Sequence, residues 1–181
     1  IAIVISPEKN DIRQVFEIKQ ELADSLRKKG KAKFAEKIEQ VGILSPKNFI
    51  LQNCVAYGNQ APLSTPEVIN FIGKNDFWYV LPDDIFAIKN GKKNEFLQMF
   101  EAYQKFSGSV MAAKEVLNDA EFDKYGIVAG LIVAREKGSN GNLIVDVERI
   151  DEKPGVENAK SNLASVCAWI FKNNYLKSLA W

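Results

Sequence analysis

Apolar residues run unbroken from Ile1 to Ile5 and stop at Ser6-Pro7, the pattern of a strand followed by a helix-start signal. From Asp11 to Val41 the period lengthens. Ile12, Val15, Phe16, Ile18, Leu22, Leu26, Phe34, Ile38 and Val41 recur at helical spacing, broken at Lys28-Lys29-Gly30-Lys31. Two or three amphipathic helices are predicted, and the basic run reads as a solvated turn because acidic residues interleave on both sides of it. Phe49-Ile50-Leu51-Gln52 predicts a short strand that enters a Gly/Asn/Pro-rich loop, Tyr57 to Pro62. Ser64-Thr65-Pro66-Glu67 carries the Ser-x-x-Glu capping pattern with proline in the first turn, so Ser64 is expected to cap a helix reaching Ile72.

Phe77-Trp78-Tyr79-Val80-Leu81 is continuous, aromatic and β-branched, which predicts a strand buried on both faces and ending in Pro82-Asp83-Asp84. Between Asn94 and Phe106, residues Phe96, Leu97, Met99, Phe100, Tyr103 and Phe106 form a helical stripe expected to face the core. Ser109 to Val116 predicts another strand. Ile127 to Ala134 and Leu143 to Ile150 flank the turn cluster Gly138-Ser139-Asn140-Gly141 and predict a hairpin, and Leu163 to Phe171 a last strand. Helices and strands alternate for two thirds of the chain and strands then pair directly, so the class is α/β with a mixed sheet. One domain over 1–181 is expected, with a helical insertion at about 11–41.

Composition narrows the function more than the fold. The 181 residues carry 24 Lys+Arg against 23 Asp+Glu, a net charge of +1. A nucleic-acid or anionic-membrane binder needs a basic surplus, so neither partner is expected. No apolar run is long enough to span a bilayer. There are no histidines, which excludes Ser-His and Cys-His nucleophiles, His-ligated metals and imidazole acid–base chemistry. Cys54 and Cys167 are far apart and form no CxxC, which fits buried thiols in a reducing cytoplasm. Chemistry is left to carboxylates, lysines and backbone amides.

Three places offer it. Asp83-Asp84 follows a strand, where ligands of open α/β sheets collect, and two adjacent carboxylates there suit Mg²⁺; the alternative is a solvated turn. Glu152-Lys153-Pro154 presents an acceptor suited to sugar hydroxyls and a point charge suited to a phosphate, on a chain stiffened by proline; the alternative is surface decoration. In Gln52 to Pro62, glycine permits close backbone approach to a flat ring and Gln52 can pair with a base edge; the alternative is a plain connecting loop.

These elements occur in one order: Gln52 with Tyr57-Gly58-Asn59, then Val80-Leu81-Pro82-Asp83-Asp84-Ile85, Lys124-Tyr125-Gly126-Ile127-Val128, Glu152-Lys153-Pro154 and Ser161-Asn162-Leu163-Ala164. The succession resembles the bacterial UTP–glucose-1-phosphate uridylyltransferases over nearly the whole chain. The resemblance implies a Rossmann-like nucleotidyltransferase fold, three-layer α/β/α with a mixed, mostly parallel sheet. It implies in-line attack of glucose 1-phosphate on the α-phosphorus of UTP, releasing pyrophosphate and forming UDP-glucose. An ionised phosphate nucleophile needs no histidine base, which agrees with the composition.

By position, the resemblance implies that Gln52 and Gly58 contact the uracil, that Asp83 holds the catalytic Mg²⁺ with Asp84 supporting it, and that Gly126 offers its backbone to the glucose. It implies that Glu152 binds sugar hydroxyls and Lys153 the sugar phosphate. The family's glycine-rich triphosphate loop is expected before Ile1 and a second metal-binding Asp after Trp181, so the chain reads as a segment cut at both ends. Such a segment is expected to be inactive or weak alone, with an exposed sheet edge that favours homo-oligomers. Three alternatives stay open: a non-catalytic sugar-nucleotide-binding or regulatory domain, a relative that uses another nucleotide or sugar 1-phosphate, and a structural α/β domain whose charged motifs are all solvated turns.

Overall fold

The computed structural model describes residues 1–9, 11–17, 19–43, 48–52, 61–86, 94–135 and 143–178. The chain divides into two compact units, Ile1–Gly73 and Lys74–Ser178. Among the described residues no helix is long and apolar enough to cross a membrane.

In the first unit, β1 (Ala2–Ile5) and β2 (Asn48–Leu51) pair in parallel, from Ala2 opposite Asn48 to Ile5 opposite Leu51. A parallel pair needs a long crossover, and α1 (Ile12–Val15), α2 (Gln20–Lys28) and α3 (Ala32–Ile43) lie within it. The predicted break at Lys28 to Lys31 is a helix stop. Gly30 adopts φ 73°, the left-handed conformation that a Cβ would penalise. The Gly30 amide donates to the Arg27 carbonyl at 2.9 Å and the Lys31 amide to that of Leu26 at 2.8 Å. Arg27 ties the two helices through Glu39 of α3 at 2.6 Å and pairs within its own helix with Asp24 at 3.4 Å. The short helix α4 (Pro66–Ile72) begins one residue later than the capping pattern suggests. Ser64 belongs to a preceding 3₁₀ turn, Ala61–Ser64. The wholly buried Thr65 is the N-cap, followed by Pro66 at the position where proline's missing N–H costs nothing.

The second unit is a five-stranded sheet with helix α5 (Glu95–Phe106) against it. Its strands are β3 (Phe77–Val80), β4 (Val110–Glu115), β5 (Gly126–Arg135), β6 (Leu143–Glu152) and β7 (Leu163–Phe171). Strand β7 pairs antiparallel with β3, β4 and β5. Trp169 and Ile170 face both β3 and β4, and Ala164 faces both β4 and β5, so β3 and β5 share one edge of β7 and β4 takes the other. Parallel and antiparallel pairing both occur, as expected of the class, but in two separate sheets, and the expected excess of parallel pairs is not found among the described strands. Only β1–β2 is parallel, because β3, β4 and β5 all run opposite to β7. The chain after β7 continues into α6 (Asn174–Ser178).

Strand β3 is not buried on both faces as its composition suggests. Phe77 and Tyr79 are half-buried while Trp78 and Val80 are exposed, since a strand of the antiparallel sheet alternates its environment. Trp78 still touches Phe96 of α5, ring centroids 5.6 Å apart, and Tyr79 stacks on Trp169 at 5.5 Å. Helix α5 starts at Asn94, whose side chain accepts the Phe96 amide at 2.8 Å. It buries Met99 and packs Phe96 and Tyr103 on Ala168 and Ile170, whereas Leu97, Phe100 and Phe106 of the expected core stripe stay exposed.

The β5–β6 ladder is irregular twice. Ala129 faces Arg149 but Gly130 faces Val147, leaving Glu148 unmatched; Ile132 faces Val145 but Ala134 faces Ile144, leaving Val133 unmatched. Gly130 lies at the first irregularity, where a Cβ would meet the Asp146 carbonyl oxygen at 2.0 Å. The turn cluster 138–141 lies outside the described residues.

At the other end of the unit Asp76 gathers three donors. Oδ1 accepts the Asn173 amide at 2.7 Å, and Oδ2 accepts Lys172 Nζ at 3.2 Å and the Tyr103 hydroxyl. The Tyr103 hydroxyl first, then the Asn173 amide and Lys172, hold the Asp76 carboxyl below its usual range.

Gly130→Ala is expected to destabilise by about 1–3 kcal/mol, because backbone and not a flexible side chain occupies the space. Gly108→Ala, whose nearest neighbour would be 4.0 Å away, should stay within about 0.5 kcal/mol; thermal melts of the two variants check this. A folded carboxyl with a lowered pKa contributes stability that is present above its unfolded pKa and lost as pH falls through the folded value. The melting temperature of Asp76→Asn should therefore lie below that of the native chain at pH 7, and the gap should begin to close only as pH falls below about 4.

Candidate functional site

Where β3 ends, the chain turns away at Pro82. The Leu81 amide donates to the Cys167 carbonyl at 3.0 Å. In a regular antiparallel ladder the Cys167 amide would return the bond to Leu81; here it donates to Asp84 Oδ2 at 3.1 Å. One carboxylate of the acid pair is thus fastened to the central strand, and both Asp83 and Asp84 remain exposed. Burial first, then the carboxylates of Asp84 and Asp83, push the Cys167 thiol up to about 12, so it stays protonated as a donor towards them.

A second group forms where β5 begins and β6 ends. Gly126 stands opposite Glu152. A Cβ on Gly126 would come within 2.8 Å of Ile150 Cγ2 and 3.1 Å of Glu152 Oε2, so the carboxylate holds its place because residue 126 has no side chain. Lys153 follows with φ 47°, a left-handed conformation uncommon for lysine. Its amide donates to the Tyr125 carbonyl at 3.2 Å, directly before Gly126. Gly155 also has positive φ, and beyond it Asn158 Nδ2 donates to the Pro154 carbonyl at 3.0 Å. Lys153 Nζ and Glu152 Oε1 are 3.7 Å apart and both side chains are largely in solvent, a pair too weak to withhold either from a ligand.

Asp83, Asp84, Gly126, Glu152 and Lys153 all lie in the Lys74–Ser178 unit. Gln52 is in the other, half-buried just past β2, with its amide donating to the Ile5 carbonyl at 2.9 Å. Gly58 and Cys54 lie outside the described residues. Sequence reasoning missed Cys167 as a neighbour of the acid pair, a relation that only the pairing of β3 with β7 creates. It also missed Lys114 on β4, whose Nζ lies 4.1 Å from the centroid of the Tyr125 ring.

Among the described residues no group of three or more Cys, Asp or Glu could hold a metal ion. The acid pair alone still fits Mg²⁺, which takes one or two carboxylates and completes its shell with water and phosphate oxygens.

Gly126→Ala is expected to lower stability by about 1–3 kcal/mol by overpacking. Ile150→Ala should recover part of that loss, because it removes the nearer obstacle. A double-mutant cycle of thermal melts reads the coupling directly, and strict additivity would show that Ile150 is not the obstacle.

Three comparisons bear on this arrangement. The nucleotidyl transferase family matches residues 19–180. The chain is 28% identical over 179 residues to a UTP–glucose-1-phosphate uridylyltransferase of Mycoplasma pneumoniae, across 99% of this chain and 57% of that protein. A solved structure of apo UDP-glucose pyrophosphorylase matches with a TM-score of 0.79 at 26% identity, covering 99% of this chain and 61% of the other. Another, complexed with UDP-glucose, gives 0.71 at 26% identity, covering 99% and 60%. The chain therefore spans somewhat more than half the length of these relatives. With a match over residues 19–180 and a fold shared across nearly its whole length, the chain belongs to the nucleotidyl transferase family.

Proposed function

We propose that this chain is the sugar-phosphate side, and part of the base site, of a UTP–glucose-1-phosphate uridylyltransferase. The observation that carries the reading is the pairing of Gly126 with Glu152 beside the left-handed Lys153. A backbone with no side chain, an acceptor and a cation converge there, and a sugar phosphate has hydroxyls for the second and an anion for the third. The uridylyltransferase of Mycoplasma pneumoniae and the UDP-glucose complex among the similar structures support the same choice.

In this reading Glu152 accepts hydrogen bonds from the glucose hydroxyls while the Gly126 backbone lies against the ring. Lys153 holds the phosphate that attacks the α-phosphorus of UTP, with pyrophosphate leaving in line. Because that nucleophile is already an anion, the residues contribute position and charge and no proton is abstracted. Asp83 would hold Mg²⁺ and Asp84, fixed by the Cys167 amide, would support it; the ion would neutralise charge on phosphate oxygens. Gln52 and Gly58 would face the uracil.

A thermal-shift titration of the 181-residue chain with UDP-glucose and Mg²⁺, set against glucose 1-phosphate and dTDP-glucose, tests the reading. A ligand that binds only the folded state raises its stability by about 2.7 kcal/mol at roughly 100-fold excess over Kd. UDP-glucose should stabilise more than dTDP-glucose, Lys153→Ala should weaken the glucose 1-phosphate response, and Asp83→Asn should remove the Mg²⁺ dependence. Equal responses to the two sugar nucleotides would point to another nucleobase, and a Mg²⁺ dependence that survives in Asp83→Asn would remove that residue's metal role.

A further inference from the structure

Lys114 has no part in the arrangement proposed above, yet three observations attach it to the turn that carries Lys153. The first is the conformation of that turn. Lysine at φ 47° persists only where the surroundings impose it, and the bond from its amide to the Tyr125 carbonyl restrains the Lys153 backbone. The second is how Tyr125 is itself held. It packs on the cluster of Val116, Phe122, Ile127 and Ala164, and Lys114 Nζ lies over its ring. Contact with Tyr125 first, then the charges of Glu121 and Asp84, keep the Lys114 ammonium above the usual lysine range.

The third observation is the sheet row beneath. Lys114 on β4 faces Ala164 on β7, and Ala164 in turn faces Ile127 on β5, so the three share one face across three strands. Tyr125 lies two residues before Ile127 and on that same side. The residue between the lysine and the tyrosine is an alanine, which leaves the lysine stem a clear path across the central strand.

We propose that Lys114 and Tyr125 form a strut that holds the Glu152-Lys153 turn in its binding geometry, making them positioning residues for the sugar phosphate that touch none of it. The consequence for ligands rests on the reading of Lys153 given above; the strut itself does not. Lys114 supplies the charge over the ring, the ring fixes the Tyr125 peptide, and the carbonyl of that peptide fixes the lysine that meets the phosphate.

Amide hydrogen exchange at Lys153 in the intact 181-residue chain, with glucose 1-phosphate titrated by calorimetry, tests this. Lys114→Met should speed Lys153 exchange and weaken glucose 1-phosphate binding, each about three- to tenfold, the range of a partly desolvated cation–π contact. Lys114→Arg, which keeps a cation over the ring, should restore both. Tyr125→Leu should behave as Lys114→Met does. The Asn173 amide, bonded to Asp76, should exchange at its native rate in every variant. Unchanged Lys153 exchange in both Lys114→Met and Tyr125→Leu overturns the strut, and so does a rise that Asn173 shares, which marks general destabilisation. Faster Lys153 exchange in these variants of a chain that takes no glucose 1-phosphate supports the strut and counts against the sugar-phosphate reading instead.

Discussion

The backbone of β7 must satisfy three neighbours at once, and the Lys74–Ser178 unit is organised around that demand. Each N–H and C=O on the paired edges of a central strand calls for a partner. Strand β4 serves one edge, and β3 and β5 divide the other between the two ends of β7. Past Leu81 β3 has departed, and the Cys167 amide turns to the carboxylate of Asp84. Asp84 therefore takes the main-chain donor that β3 leaves there, with Asp83 beside it. Ala164 and Ala168, each fully buried, mark the crowding along the same strand.

The two groups of site residues in this unit are held by different means. Asp84 is fastened by a hydrogen bond into the sheet and Asp83 sits beside it in solvent. Glu152 and Lys153 are placed by what is missing or strained: no side chain at Gly126, and a lysine in a backbone conformation that most lysines avoid. Both meet the same sheet, the first at β7 and the second at the start of β5, where Lys114 of β4 lies over the Tyr125 ring.

Much of this was legible in the sequence where period and punctuation were strong. Leu163–Phe171 is a strand with the predicted bounds, and the Lys28-to-Lys31 break ends a helix as its glycine suggested. Asp83-Asp84 and Glu152-Lys153 were visible because each stands at the end of a strand, the first just past β3 and the second where β6 stops. What failed did so for tertiary reasons. The aromatic run of β3 reads as doubly buried, but composition does not say whether a strand's neighbours run parallel or antiparallel. The capping pattern at Ser64 was outcompeted by proline's preference for the first helical position, which moved the cap to Thr65. Cys167 and Lys114 carry no local signal at all, since their neighbours are 83 and 11 positions away and meet them only through strand register.

The two irregularities of the β5–β6 ribbon have opposite sense. One leaves Glu148 over on β6 and the other leaves Val133 over on β5, so Gly126 opposite Glu152 and Arg135 opposite Leu143 obey a single count. The ribbon behaves as a frame shifted and then restored, with its far end in phase with the end that bears Gly126 and Glu152. Loss of either extra residue alone would turn every side chain beyond it to the wrong side of the ribbon. Loss of both would leave the two ends in phase. Length changes along this hairpin are therefore tolerable only in matched pairs, one on each strand, and a residue gained or lost on β5 has its natural compensation on β6.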